Sequence, residues 1–468
     1  MSIKIKFGTD GWRAIIAQEF TTDNVARVAK ATALRIKEVH GNPLVVIGHD
    51  CRFGGELFAE ATAKVLAGEG IKVLLAKGIA STPMVSLACK FYNAYFGVVI
   101  TASHNPASYN GYKLKSFFGG PSSPAEIDAV ERLIPPAASI PQTDIDTFIK
   151  EGWIDYIDLE TLYFDHVEKN FDMEIIRTCG KVFAYDAMYG AGQNIVRRLM
   201  PNIVSLHCEQ NPSFNGTAPE PLHKNLMEFS ALIANSIDID FGFANDGDAD
   251  RVGAYDSKGH FIDSHHVILL LIHYLHVYKS YTGKVVIAFS VSDKVKKLCK
   301  AYNIPYEVTK IGFKYICDIM VHEDVLLGGE ESGGIAIKGH IPERDGVWNA
   351  LTLMEFMAKS GKSIEELIQE VYAVIGSFDY NRYDLHITEP LKLSIIEKCK
   401  QRAYSTFGKY PIIRVEDIDG WKFYLEEESW VMVRASGTEP VLRVYCESDD
   451  MPKVLDMLDS AKAVLLSE

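Results

Sequence analysis

The chain is poor in features that would set it apart from ordinary soluble proteins. Its eight cysteines form no CxxC pair and follow no regular spacing, so neither a zinc ribbon nor a disulfide framework is indicated. Scattered thiols of this kind suit a reducing compartment, and a cytoplasmic location is expected. No run reaches the roughly 18 apolar residues of a membrane span. The best candidate, 267–275, is short and flanked by His265, His266 and His276. The opening MSIKIKFGTDGW lacks the charged-then-apolar pattern of a secretory signal. Positive charge is also scarce, 48 Lys and Arg against 62 Asp and Glu, for a formal charge of −14. No net field would draw a nucleic-acid backbone, so anionic ligands must be met by local basic loops.

What is present is a large apolar fraction, 47% of 468 residues, enough for about three domains of ordinary size. Residues 24–39 place Val25, Val28, Thr32, Ile36 and Val39 on one helical face, with Thr22 as the expected N-cap. The strand-like run 44–48 follows, then a helical pattern over 56–67 and a second apolar run at 71–76. Strand, helix, strand at this spacing predicts parallel βαβ units. Further strand-like runs fall at 96–100, 182–185, 239–243, 285–289 and 325–327. Three of them run into polar loops, TASHNP, NDGDADR and GGEESGG, and ligands of open parallel sheets bind beyond the carboxyl ends of strands. Boundaries are expected at the proline-rich 135–141, the turn 256–260 and a hinge near Gly376-Ser377, after which shorter elements suggest an α+β module.

In Thr101-Ala-Ser-His-Asn-Pro106, Ser103 reads as an exposed nucleophile at a strand end, with His104 and Lys113 as proton handlers or anion ligands; a plain polar turn is the alternative. In Asn245-Asp-Gly-Asp-Ala-Asp-Arg251, an extended chain would put Asp246, Asp248 and Asp250 on one face. Crowded carboxylates need a cation, and hard oxygen ligands suit magnesium. An EF-hand fails, because Arg251 stands where glycine is required. An aspartyl-phosphate phosphatase, which also uses Asp-x-Asp after a strand, stays open. Glu330, Glu331 and Ser332 lie among four glycines and are natural partners for sugar hydroxyls, or part of a glycine-rich turn. Arg434-Ala-Ser-Gly-Thr-Glu-Pro440, with Arg443 beyond, offers what a phosphate dianion needs, unless Arg434 merely pairs with Glu439. Ser360-Gly-Lys-Ser363 is no P-loop, since Phe356 occupies the first glycine position, and His273 with His276 lacks a third zinc ligand.

Together and in this order, the loops resemble the α-D-phosphohexomutase family, the phosphoglucomutases and phosphomannomutases, over essentially the whole chain. Phe7-Gly-Thr-Asp-Gly-Trp-Arg13 is similar to the family's first motif, and Asn110-Gly-Tyr-Lys113 extends its phosphoserine loop. The resemblance implies three similar α/β domains with mixed, mostly parallel sheets and a C-terminal α+β domain around a central cleft. The divisions expected are 1–150, 151–256, 257–376 and 377–468.

It further implies a phosphoryl shuttle between hexose 1-phosphate and hexose 6-phosphate through a hexose bisphosphate. Ser103 would carry the phosphoryl group and, with Asp246, Asp248 and Asp250, hold Mg2+. Lys113 would be the leading acid/base and Arg13 a contact of the phosphoserine, with Arg251 near the metal loop. Gly312 and Lys314 would touch substrate, Glu330 and Ser332 the sugar hydroxyls, and Arg434, Ser436, Gly437 and Thr438 the idle phosphate. Gly334 stands where mannose-type members often carry histidine, and His340, in Gly-His-Ile-Pro-Glu-Arg-Asp-Gly, resembles glucose-type members. Glucose phosphate is therefore the expected substrate, with mannose or glucosamine phosphate as alternatives and no nucleic-acid or membrane partner. A monomer or small homo-oligomer is expected. Outside this class, a phosphatase acting through Asp248 and a non-catalytic sugar-phosphate sensor remain open.

Overall fold

The computed structural model describes residues 3–8, 10–39, 43–435 and 441–467. They form two compact units, Met1–Lys284 with Gly312–Ile368, and Val285–Ile311 with Gln369–Glu468.

The first unit opens with β1 (Trp12–Ile15), α1 (Thr22–Glu38), β2 (Leu44–His49), α2 (Gly55–Gly68), β3 (Lys72–Ile79), α3 (Thr82–Tyr92), β4 (Phe96–Ile100) and β5 (Tyr109–Ser116). Thr21, not Thr22, caps α1: its hydroxyl accepts the Asn24 amide at 3.3 Å, so the cap lies one residue earlier than expected. Val25, Val28 and Ile36 are buried on the face expected to meet the sheet, against Val45, Ile47 and Val98. The sheet order is β1-β5-β4-β2-β3 followed by the strand Ile154–Ile157. β4, β2 and β3 run parallel, and β5 and β1 add an antiparallel edge. Because β2 and β4 are parallel neighbours, Asp50 and Thr101 leave the sheet at the same end.

A second sheet repeats the plan. The strand Val182–Asp186 lies parallel between Val204–Leu206 and Ile239–Asn245, with antiparallel Val252–Tyr255 and Phe261–Ile262 beyond. Ile239–Asn245 delivers the acidic loop at its carboxyl end. The apolar run near Val267 forms the buried helix Ser264–His273, capped by Asp263. Among the described residues no helix is long and apolar enough to cross a membrane. Val325–Gly329 and Ile335–Ile337 pair antiparallel around the glycine-rich loop, and the helix Gly346–Ser360 follows.

In the second unit, 285–288 pairs parallel with Tyr306–Thr309. The strands Asp379–His386, Val441–Ser448, Trp430–Ala435, Trp421–Tyr424 and Arg414–Glu416 form, in that order, an antiparallel sheet. Helices Glu389–Lys400 and Met451–Leu466 close its core through Ile395, Met457 and Leu458. Parallel-centred mixed sheets upstream and an antiparallel α+β sheet downstream agree with the expected class.

Candidate active site

The first unit gathers its charged loops at one place. Ser103 Oγ donates to Asp246 Oδ2 at 2.7 Å. It is buried, 1% exposed, rather than the exposed nucleophile expected, because its side chain turns inward onto the aspartates. Asp246, Asp248 and Asp250 present carboxylate oxygens within 4.8 Å of one another, all buried. They do not converge by extended alternation. The loop is a turn with Ala249 at φ 58°, and Asp246 Oδ1 accepts the amides of Asp250 at 3.0 Å and Arg251 at 3.1 Å.

Two glycines make the close approach. A Cβ on Gly247 would lie 2.5 Å from the Ser103 carbonyl oxygen, so the acidic and serine loops meet backbone to backbone. Gly11, at φ 98°, would place a Cβ 2.7 Å from the Tyr112 carbonyl oxygen, and its absence lets the first motif lie on Lys113.

Lys113 Nζ bridges Asp248 at 2.7 Å, Asp10 at 3.0 Å and Asp250 at 3.2 Å. Burial opposes its charge, but these carboxylates raise its pKa above the ordinary lysine value. Burial alone would lift Asp248; the Lys113 ammonium instead holds it well below the carboxylate range. For Asp246, burial followed by repulsion from Asp248 and Asp250 outweighs the nearby Arg251 guanidinium and pushes its pKa well up. Asp248 Oδ1 and Asp250 Oδ1 are buried and accept no hydrogen bond from the described residues. Oxygen-only donors, orphaned buried oxygens and an ammonium standing where a cation would be drawn all fit a hard divalent ion.

Around this centre, Arg13 Nη1 donates to Asn105 Oδ1 at 2.7 Å. His104 Nδ1 lies 3.4 Å from Ser103 Oγ. Burial, then Arg251 and Arg13, lower the His104 pKa well below its usual value, so the ring is neutral. Arg251 reaches Glu220 at 3.3 Å and stays within 4.0 Å of Asp246 and Asp250. Glu330 Oε1 accepts the Gly312 amide at 3.0 Å, and burial lifts its pKa to about 7 despite Arg344 nearby. The glycine-rich loop is tied to the acidic loop through Val252, whose amide donates to the Gly333 carbonyl at 3.2 Å. Ser332 is half-buried in that loop, and Lys314 Nζ sits 5.4 Å from the Tyr315 ring centroid.

The family models for phosphoglucomutase/phosphomannomutase match this chain in chain order: alpha/beta/alpha domain I over residues 4–139, domain II over 161–259, domain III over 263–375 and the C-terminal domain over 400–463. The solved structure of a Thermus thermophilus protein described as a phosphomannomutase is 33% identical, with a TM-score of 0.88, covering 99% of this chain and 100% of that one. The chain belongs to the phosphoglucomutase/phosphomannomutase family. A Thermococcus kodakarensis phosphoglucomutase/phosphomannomutase is 29% identical over 97% of this chain and 96% of its own length. A Sulfurisphaera tokodaii phosphoglucosamine/phosphogalactosamine mutase is 28% identical over 98% of each.

As a phosphohexomutase-family enzyme, a phosphotransferase isomerase, the chain is neither the phosphatase nor the sensor that the loops alone left open. Among the phosphohexomutase motifs, the structure brings together Ser103, His104, Lys113, Arg13, the aspartates, Arg251, Gly312 and Glu330. It does not bring His340 there. Its ring stacks on Trp348 at 3.8 Å, and Nε2 lies 3.0 Å from Asp345 Oδ2, whose other oxygen caps the helix Gly346–Ser360. His340 therefore supports the helix Gly346–Ser360 through Asp345. In the second unit Arg434 Nε is buried and has no hydrogen-bond partner among the described residues, 3.5 Å from Asp419 Oδ1. Ser436, Gly437 and Thr438 lie outside the described residues.

Sequence reasoning missed Arg344 and Asp10. Arg344 Nη2 contacts Asp10 Oδ2 and lies 2.8 Å from Asp250 Oδ2, while Nη1 is 3.9 Å from Glu330. Both stand inside quoted motifs, but only the fold shows that they share a charge network. Thr82 was missed too; its hydroxyl, at the start of α3, donates to Asp248 Oδ2 at 2.5 Å.

Proposed function

We propose that this enzyme interconverts hexose 1-phosphates and hexose 6-phosphates through phosphorylated Ser103 and a hexose 1,6-bisphosphate, with glucose phosphate preferred. The observation that carries the reading is Ser103 Oγ held 2.7 Å from an aspartate of a buried carboxylate triad. Ser103, Asp246, Asp248 and Asp250 would hold Mg2+, which when bound supplies charge neutralisation for the phosphoryl oxygens. Lys113 is positioned to give or take the proton of the reacting sugar hydroxyl. Neutral His104 is the nearest ring nitrogen to Ser103 Oγ and can accept its proton. Arg13 and Arg251 bring guanidinium donors to the phosphoryl group. Glu330 and Ser332 would accept and donate hydrogen bonds to sugar hydroxyls, with Gly312 and Lys314 beside them. Arg434, Ser436, Gly437 and Thr438 would hold the phosphate that is not reacting.

The chain divides, on this reading, into domains at 1–150, 151–256, 257–376 and 377–468. Gly334 in place of a histidine supports glucose over mannose, whereas relatives named for glucosamine phosphate support that sugar as a second reading. Eight free cysteines, seven of them buried, are consistent with a reducing cytoplasm. Rates on glucose, mannose and glucosamine 1-phosphates, measured side by side with Ser103→Ala, test the proposal. Glucose should be fastest and Ser103→Ala inactive; full turnover by that variant would overturn it.

A further inference from the structure

Ser103 sits at φ 53°, in the left-handed region that a serine adopts only when its surroundings hold it there. Both polar groups of its backbone are pinned. Its amide donates to Thr101 Oγ1 at 2.9 Å, and the Thr101 hydroxyl donates to Asp50 Oδ2 at 2.6 Å. Its carbonyl accepts Arg52 Nη2 at 2.6 Å.

Arg52 has no donor left for anything else. Nη2 also reaches the Asn105 carbonyl at 2.6 Å, Nη1 the Pro106 and Tyr109 carbonyls at 2.8 and 3.0 Å, and Nε Asp50 Oδ2 at 3.2 Å. A guanidinium carries five N–H groups, and all are used on the serine loop and on Asp50. Its side chain is fully buried over the Phe214 ring, with Cζ 4.9 Å from the centroid. Arg52 is thus not a phosphate ligand of the kind Arg13 is positioned to be. Asp50 completes the unit by accepting the Arg52 amide at 2.9 Å on its other oxygen.

We propose that Asp50, Arg52 and Thr101 are positioning residues that lock Ser103 in its left-handed conformation and thereby aim Oγ at the aspartate triad. The two pins act on opposite sides of the Ser103 Cα. Releasing the amide lets φ fall back to negative values, which swings Cβ and carries Oγ away from Asp246. The inference deepens the reading of Ser103 as phosphoryl carrier and rests on it. A misplacement of about 1 Å at a reacting atom costs on the order of a hundredfold in rate.

The test is steady-state kinetics of the full-length protein, with glucose 1-phosphate and Mg2+, on Thr101→Val, Thr101→Ser, Arg52→Lys and Ser103→Ala. Valine keeps the branched shape of threonine and removes only the hydroxyl. The expected result is a kcat drop of about a hundredfold in Thr101→Val, with KM and the half-saturating Mg2+ concentration within about twofold of wild type. Thr101→Ser, which restores the hydroxyl, should return to within about fivefold, because the pin rather than the methyl group matters. Arg52→Lys should also lose kcat, since three ammonium donors cannot serve four carbonyls. Wild-type kcat in Thr101→Val, or an equal loss in Thr101→Ser, would overturn the positioning role. If Ser103→Ala itself turned over normally, the phosphoserine reading would fall instead, so the two failures are distinguishable.

Discussion

Lys113 Nζ lies 2.7 Å from Asp248 Oδ2 and bridges onward to Asp250 at 3.2 Å, so the acid/base candidate shares two oxygen-rich neighbours with the cation site. Removing the ammonium takes the Lys113 ion pair from Asp248 and leaves Asp250 to Arg344 and Arg251. Lys113→Met should therefore bind Mg2+ about tenfold more tightly or better, while mutase activity is lost. Isothermal titration with Mg2+ and a rate assay on the same preparation separate the effects. Weaker Mg2+ binding in the variant would show that Lys113 builds the site rather than competing for it.

Asp248→Asn removes the oxygen that both Lys113 and Thr82 bond, and one charge from the triad. Mg2+ affinity should fall by about a hundredfold, with most activity, as a buried charged contact of about 1.5–3 kcal/mol is lost. Chelation of wild-type enzyme should reproduce the loss of activity. Undiminished turnover after thorough chelation is incompatible with a metal-dependent mechanism.

Glu330 gives a pH signature. Its carboxyl titrates near 4.5 when exposed and at about 7 in the fold, where burial disfavours its charge. Between those values the native state keeps a proton that the unfolded chain has released, so stability falls as pH rises through the window and levels off above it. The cost reaches roughly 3 kcal/mol above pH 7. Glu330→Gln has no proton to lose, and its thermal midpoint relative to wild type should climb from pH 4.5 to 7. The same variant should show a raised KM, since Glu330 is proposed to bond sugar hydroxyls. A pH-independent difference in thermal midpoint would place the titration elsewhere.

Arg344 stands among Asp10, Asp250 and Glu330. Arg344→Met leaves these carboxylates facing one another and should destabilise the first unit by about 3–5 kcal/mol. Arg344→Lys should recover part of that. Differential scanning calorimetry of both variants checks the ranking.

Much of this was legible before the fold, and the remainder failed for identifiable reasons. The strand ending in TASHNP stood out because a strand buried on both faces reads as an unbroken apolar run, and the one ending in NDGDADR because only Asp240 interrupts its apolar pattern. The aspartates were found, yet the route by which they converge was not, because Ala249 at φ 58° and the Asp246 turn bonds are conformations that extended-chain alternation does not contain. Asp10 and Arg344 are 334 residues apart, a pairing no local pattern encodes. Arg52 escaped notice because most of its partners are backbone carbonyls, which carry no sequence signature. His340 stood out by its motif, and only the fold shows that its ring stacks on Trp348 and bonds Asp345.

Arg434 is proposed to grip the idle phosphate. Arg434→Ala should raise KM about tenfold to a hundredfold, the scale of one charged hydrogen bond of about 1.5–3 kcal/mol, with a smaller change in kcat. Initial-rate kinetics over a wide range of hexose phosphate concentration would show the split. A fall in kcat alone would mean that Arg434 acts on the chemistry rather than on binding.

The central claim is that Ser103 carries the phosphoryl group, and locating the phosphate on the protein tests it most directly. Purified enzyme treated with glucose 1,6-bisphosphate and Mg2+, then digested and sequenced by mass spectrometry, should show phosphate on Ser103. With a radiolabelled bisphosphate, the label on Ser103 should pass into hexose phosphate when unlabelled glucose 1-phosphate is added in excess, while Ser103 stays phosphorylated. Phosphate found on an aspartate, or mutase turnover with Ser103 never phosphorylated, would contradict the account.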